Sequence, residues 1–241
     1  MKLNFAESNF ETMDYKNVLF DLDRTLWDFE KNNIETFTEL FYKYNLNKFC
    51  EFEEFYKTYR QFNDELWAQY REKKITKEFL SWKRFELSIG KFKPIDVDMA
   101  KKFSQDYIEI SPKKNNLIHG THEILTYLKE KSYNLFIVTN GFKEVQYNKI
   151  RNCNLDKYFS KVYTSEDAGY NKPDKRFFNY VLNDLKTQPQ DCIIVGDDPE
   201  VDIKGAIQTN IKSIWFNPQM KKSDYQTNYE VKSLLEIKNI L

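Results

Sequence analysis

The run Val18-Leu19-Phe20-Asp21-Leu22-Asp23-Arg24-Thr25 carries an apolar, strand-like stretch into two carboxylates spaced i and i+2. Period-2 geometry would aim Asp21 and Asp23 the same way if the strand continued, and like charges that close repel unless a cation or shared proton compensates. Metal-assisted chemistry is the reading this spacing favours. The alternative is a plain acidic turn in which Asp23 or Thr25 caps the next helix. Three more polar clusters stand where apolar runs end. Phe136-Ile137-Val138 runs into Thr139-Asn140-Gly141, Gly169-Tyr170-Asn171-Lys172-Pro173 opens a helical pattern, and Ile193-Ile194-Val195 runs into Gly196-Asp197-Asp198-Pro199 with Asp202 following. Each also has a purely structural reading. Thr139-Asn140-Gly141 can be an ordinary turn, Lys172 a solvated lysine, and Asp198-Pro199 a helix start with Asp at N-cap and Pro at N1, while structure and site support are equally open for Asp202. His119 and His122 flank Gly120 and read as surface or capping residues.

The elements that must position these groups are legible as periodicity. Short β-type runs recur at 17–20, 133–139, 161–164, 192–195 and 213–216, and from the second onward helical patterns separate them. Between Lys172 and Asp191, for example, Phe177, Phe178, Val181, Leu182 and Leu185 fall on one helical face, with Pro173-Asp174 as a start signal. This alternation predicts a parallel sheet with crossover helices, and ligands of such sheets bind outside the carboxyl ends of the strands, where the polar clusters would converge. The interval 28–110 reads as all-helical, with Phe37, Leu40, Phe41 and Tyr44 on one stripe and Phe52, Phe55, Tyr56, Tyr59, Phe62 and Leu66 on another. Glycine placement agrees: of six glycines only Gly90 precedes the alternating half. The expectation is an α/β fold, a Rossmann-like parallel core formed by 14–27 and 111–241, interrupted after its first strand by a helical insert over 28–110.

Composition bounds the function. At 241 residues and 41% hydrophobic content the chain can bury a sizeable core, and 37 basic against 37 acidic residues leave no global field to draw in nucleic acid or an anionic membrane. Three cysteines, Cys50, Cys153 and Cys192, are an odd set without CxxC spacing, which suits buried thiols in a reducing compartment. Residues 1–14 lack an uninterrupted apolar core, and no segment approaches the roughly 20 apolar residues of a membrane helix. A cytoplasmic protein is expected, monomeric or homodimeric.

Taken in order, the four clusters resemble the motifs of the haloacid dehalogenase superfamily, and the chain is similar over nearly its whole length to the phosphatase branch with a helical cap after the first motif. The resemblance implies a phosphomonoesterase using Mg2+. Asp21 would be the nucleophile, forming an aspartyl phosphate, and Asp23 would protonate the leaving alcohol and then deprotonate the hydrolytic water. Asp21 and Asp197 would be side-chain ligands of the ion, with Asp23 contributing its backbone carbonyl. Thr139 and the amides of Asn140 and Gly141 would hold phosphate oxygens, Lys172 would offset charge on phosphate and carboxylates, and Asp198 and Asp202 would orient water or Lys172. Arg24 stands where phosphatases of this type often carry Asp or Gly, so it either nears the site or points to solvent. The dehalogenase branch lacks a carboxylate at the position of Asp23, because halide departure needs no acid, and Asp23 therefore argues for phosphate chemistry.

The insert is rich in aromatics, most of which fit packing stripes; Trp27 and Phe29, directly after the first motif, are the ones expected to reach the cleft. The cap and motif pattern is similar to nucleoside 5'-monophosphatases that act on pyrimidine nucleotides. Sugar phosphatases, phosphoglycolate phosphatases and a phosphoglucomutase-like transferase share the core residues, and a non-catalytic phospholigand-binding protein is the alternative outside catalysis. The expected partner is a small phosphorylated metabolite, with neither a nucleic acid polymer nor a membrane.

Overall fold

The structure, a computed structural model, describes residues 15–241; position 14 of the expected core and the reading of 1–14 lie outside the described residues. Six strands form one parallel sheet: β1 (Asn17–Phe20), β2 (Asn134–Thr139), β3 (Lys161–Thr164), β4 (Cys192–Gly196), β5 (Lys212–Phe216) and β6 (Tyr229–Val231), in the order β3-β2-β1-β4-β5-β6. The first five follow the apolar runs. β6 was not signalled by the sequence, because only Val231 of its three residues is buried and an edge strand so short shows no periodicity.

Both faces of the sheet are covered, as parallel sheets require. Val18 and Phe20 point to one side with Ile193 and Val195, against Ile124, Leu125 and Leu128 of helix α5 (Thr121–Glu130). Leu19 and Ile194 point to the other, against Phe177, Phe178 and Val181 of helix α7 (Lys175–Leu185). Asp174 caps α7 through the amide of Arg176, so the Pro173-Asp174 start signal is used. The three thiols are free, with Cys153 and Cys192 buried and Cys50 half-buried.

Between β1 and α5 the chain runs through four α-helices, α1 (Phe29–Lys43), α2 (Phe52–Arg71), α3 (Lys77–Gly90) and α4 (Val97–Ile110). Their shared interior is aromatic. Phe37 is fully buried, its ring 4.1 Å from Tyr59, 5.3 Å from Tyr107 and 5.8 Å from Phe55, and Tyr59 stacks on Phe85 at 5.8 Å. The helices meet the sheet side through Leu66, Trp67 and Leu80 against Phe142, and through Lys77, which pairs with Glu144 and Glu166 at 3.2 and 3.0 Å. No described helix is long and apolar enough to cross a membrane.

Candidate active site

Register places the predicted residues. Phe20 pairs with Ile137 on one side and Val195 on the other, so Asp21, Thr139 and Asp197 leave the sheet together at its carboxyl edge. There they line one cavity of about 460 Å3, a volume typical of small-molecule sites, bounded on the far side by residues of α2, α3 and α4.

Lys172 is 1% exposed, and its ammonium donates to Asp21 Oδ1 at 2.7 Å, Asp202 Oδ1 at 2.6 Å and the Val138 carbonyl at 2.8 Å. All three of its protons are thereby used, so it acts on a ligand through its charge and not through a hydrogen bond of its own. Asn140 braces the lysine's backbone: its Nδ2 donates to the Lys172 carbonyl at 2.9 Å and its Oδ1 accepts from the Lys172 amide at 2.7 Å. The Asn140 side chain thus positions the lysine.

Carboxylate oxygens of Asp21, Asp197 and Asp202 lie within 4.8 Å of one another. Burial pushes the Asp21 and Asp197 carboxyls up and Asp202 to about 7, opposed at Asp21 and Asp202 by Lys172; Asp21 adds to the shift of Asp197. The same carboxylates hold the lysine's own ionisation above its ordinary value despite burial, so Lys172 stays charged. Three carboxylates against one ammonium leave two negative charges uncompensated when all are ionised. An all-oxygen, doubly negative, buried set fits a hard divalent cation. Gly196 makes room for the Asp202 carboxylate, since a Cβ there would lie 2.3 Å from Asp202 Oδ2.

Thr139 offers a defined donor. Its Oγ1 accepts from Gln146 Nε2 at 2.7 Å and from the Gly141 amide at 3.1 Å. With both lone pairs taken, the hydroxyl proton is the part left to give to a ligand oxygen. The Gly141 amide is occupied by Thr139 in this arrangement. Gly141 also has no space for a side chain, because a Cβ would meet Gln146 Nε2 at 2.2 Å.

The Asp23 carboxylate stands outside the three-carboxylate cluster. Its Oδ1 accepts from Lys149 Nζ at 2.6 Å and its Oδ2 from Gln146 Nε2 at 3.0 Å. Both partners belong to helix α6 (Lys143–Asn152), which begins four residues after Thr139. Sequence reasoning passed over them, although residues i and i+3 on a helix opening directly after a site motif share a face. Asp198 lines the cavity, but its Oδ1 caps the Glu200 amide at 2.9 Å and its own amide donates to Asp202 Oδ2 at 3.3 Å; it does not reach Lys172. The segment it caps is a wide π-type turn, Pro199–Ile203, that buries Asp202 beneath the site.

Of the two aromatics expected at the cleft, Phe29 lines it and Trp27 does not. Bridges from Trp27 to Asp23 and to Leu117 turn its indole into the core, fully buried, with Nε1 donating to the Lys114 carbonyl at 3.1 Å. Arg24 lines the cavity too, its guanidinium 4.1 Å over the Phe29 ring and paired with Glu30 at 3.1 Å.

Residues 18–216 match the family described as haloacid dehalogenase-like hydrolase. The chain belongs to that family. It is 30% identical over 230 residues to the HAD-hydrolase YfnB of Bacillus subtilis, covering 94% of this chain and 95% of that one. To the pyrimidine 5'-nucleotidase PynA of Streptococcus pneumoniae it is 29% identical over 238 residues, covering 95% and 98%. A crystal structure of YfnB bound to magnesium superposes with a TM-score of 0.86 at 29% identity, covering 94% of this chain and 98% of that one. The L-2-haloacid dehalogenase of Xanthobacter autotrophicus shares the fold at a TM-score of 0.74 with 14% identity, covering 93% and 97%. The protein is thus a hydrolase of this family on an α/β fold.

Proposed function

We propose that the protein is a Mg2+-dependent phosphomonoesterase that hydrolyses a nucleoside 5'-monophosphate, a pyrimidine nucleotide by preference, through an aspartyl phosphate. The observation that carries this reading is the second carboxylate. Asp23 lines the same cavity as Asp21, and an ester's leaving alkoxide, unlike a halide, needs a proton. Asp21 attacks phosphorus with a carboxylate oxygen while the bond to the leaving oxygen breaks, and Asp23 delivers the proton to that oxygen. The Asp23 carboxylate then takes a proton from water, whose oxygen attacks the phosphoryl group, and cleavage of the Asp21–phosphorus linkage restores the enzyme and releases inorganic phosphate. Thr139 gives its hydroxyl proton to a phosphoryl oxygen. Lys172 places fixed positive charge beside the attacking carboxylate, in a buried site where such charge is worth most.

Asp21 and Asp197 would hold Mg2+, with the Asp23 carbonyl, and Asp202 beneath them anchors Lys172. When bound, the ion supplies charge neutralisation at the phosphoryl group and relieves the repulsion among the carboxylates. We assign 28–110 as a cap over the core formed by 14–27 and 111–241, and place the enzyme in the cytoplasm as a monomer or homodimer acting on a free metabolite. The pyrimidine preference draws on PynA and on the pyrimidine 5'-nucleotidase YjjG of Escherichia coli, 25% identical over 232 residues. The test is phosphate release with Mg2+ from a panel of nucleoside monophosphates, sugar phosphates and phosphoglycolate. Preferred turnover of UMP and CMP is expected. Preferred turnover of a sugar phosphate or of phosphoglycolate would move the substrate class, and no turnover of any ester would remove the phosphatase reading.

A further inference from the structure

We propose that Arg84 determines specificity from the cap, its free Nη2 donating to a ring carbonyl of a pyrimidine base while the phosphate end of the nucleotide sits at Asp21. This rests on the phosphatase reading above and deepens it.

Arg84 lies on α3, is 4% exposed, and lines the cavity that contains Asp21, Thr139 and Lys172. Its Nη1 donates to Asn63 Oδ1 at 3.1 Å, its Nε is buried without a partner, and among the described residues it makes no ion pair. A guanidinium cannot shed its charge, and burying one without a counter-charge is costly. The rings of Phe85 and Tyr107, 4.7 and 5.2 Å from the guanidinium carbon, offset part of that cost. Asn63 has nothing more to offer, since Oδ1 also accepts from Tyr59 at 3.1 Å and Nδ2 donates to Asp64 Oδ1 at 3.3 Å. Arg60 and Arg71 line the same wall with Asp64, and Arg60 pairs with Glu30 at 3.9 Å, so cations outnumber carboxylates there and none of the ion pairs reaches Arg84.

The missing acceptor has a shape. Phe29, one face of which carries the Arg24 guanidinium, and Trp67 also line the cavity, and aromatic surface of this kind suits a flat ring. A ring with an oxygen acceptor answers both demands. Uracil, cytosine and thymine all carry the C2 carbonyl, adenine carries no ring carbonyl and guanine carries one only at C6 of the larger purine, sugar phosphates present no flat face, and a small carboxylate would meet the cation but leave the aromatics uncovered.

The experiment compares kcat/KM of wild type and Arg84→Met, with Mg2+, for UMP, ribose 5-phosphate and 2-phosphoglycolate. UMP and ribose 5-phosphate share the reacting ester and differ by the base. The UMP to ribose 5-phosphate ratio is expected to exceed ten in wild type and to fall at least tenfold in Arg84→Met, chiefly through KM. A variant that merely loosens the cap lowers both substrates together, and an unchanged ratio overturns the assignment. A larger loss on phosphoglycolate than on UMP also overturns it, by giving Arg84 a carboxylate instead. Wild type without a preference for UMP over ribose 5-phosphate removes the nucleotide reading and this proposal with it, whereas a wild-type preference that survives Arg84→Met overturns the Arg84 assignment alone. Arg84→Lys keeps a charge but loses the planar fork, and it is expected to lower the same ratio should Arg84→Met fail to fold.

Discussion

The two walls of the cavity are built on opposite terms. On the sheet side the buried ammonium of Lys172 is saturated by Asp21, Asp202 and the Val138 carbonyl, and the imbalance is an excess of negative charge. On the cap side the structural work is done by aromatic packing around Phe37, and the imbalance is a buried cation, Arg84, without a carboxylate. Each wall lacks what a phosphorylated ligand and its metal would bring. A fixed, internally paired sheet wall suits chemistry, which gains from groups that need not reorganise. A cap wall with unspent donors suits selection among substrates, where an unpaired polar group penalises the wrong ligand.

The sharpest way to break this division is Asp21→Asn. It keeps the shape of the sheet wall and removes the attacking carboxylate, and loss of a nucleophile is among the largest effects known in enzymes, so kcat is expected to fall about 10^4-fold or more. Lys172 retains Asp202 and Val138 as acceptors, and one of three crowded carboxylates is neutralised. The thermal midpoint in the metal-free state is therefore expected to hold or rise. Turnover near wild type in the variant would reject Asp21 as nucleophile.

Phe37→Ala attacks the other wall. Its ring meets six other cap aromatics within 6.4 Å, among them Phe55, Tyr59 and Tyr107, and cavities left by Phe in such interiors cost about 3–5 kcal/mol. Urea unfolding should show a loss of that size. Loss below about 1 kcal/mol would mean the cap interior is not the tightly packed core these ring contacts describe.

How much of each wall was readable from the chain follows from the same division. Asp21, Thr139, Lys172 and Asp197 stand directly after apolar strands or before a helix, so their place at the carboxyl edge of a parallel sheet follows from sequence order. Gln146 and Lys149 are helical residues whose partner, Asp23, lies more than a hundred positions away; only the fold brings them together. Arg84 occupies a buried helical face with Leu80 and Ser88, and a charged residue at i+4 from a buried leucine was a signal available to the eye. Trp27 misled because proximity in sequence to Asp23 says nothing of side-chain direction, which two β-bridges decide. Asp198 and Asp202 look alike in sequence, yet the π-type turn buries one beneath Lys172 and spends the other on a cap.

The smallest expected effect separates the walls by charge alone. Asp202 is held at about 7, far above the ordinary carboxylate value near 3.9, and Asp21 and Asp197 shift the same way. Between about pH 4 and pH 7 the unfolded chain has already released protons that the folded chain still holds. Folded stability from these groups is therefore complete below about pH 4 and is lost as pH rises through about 7 in the metal-free protein. A divalent cation favours the ionised form and cancels that loss. At a fixed concentration a hundred times its dissociation constant at pH 8, Mg2+ should add about 2.7 kcal/mol there and less at pH 5. The check is the thermal midpoint against pH in EDTA and in Mg2+. Asp202→Asn should flatten the EDTA curve, while Arg84→Met, on the opposite wall, should leave its slope alone. Equal slopes with and without Mg2+ would mean that the sheet wall's excess charge is not what the metal answers.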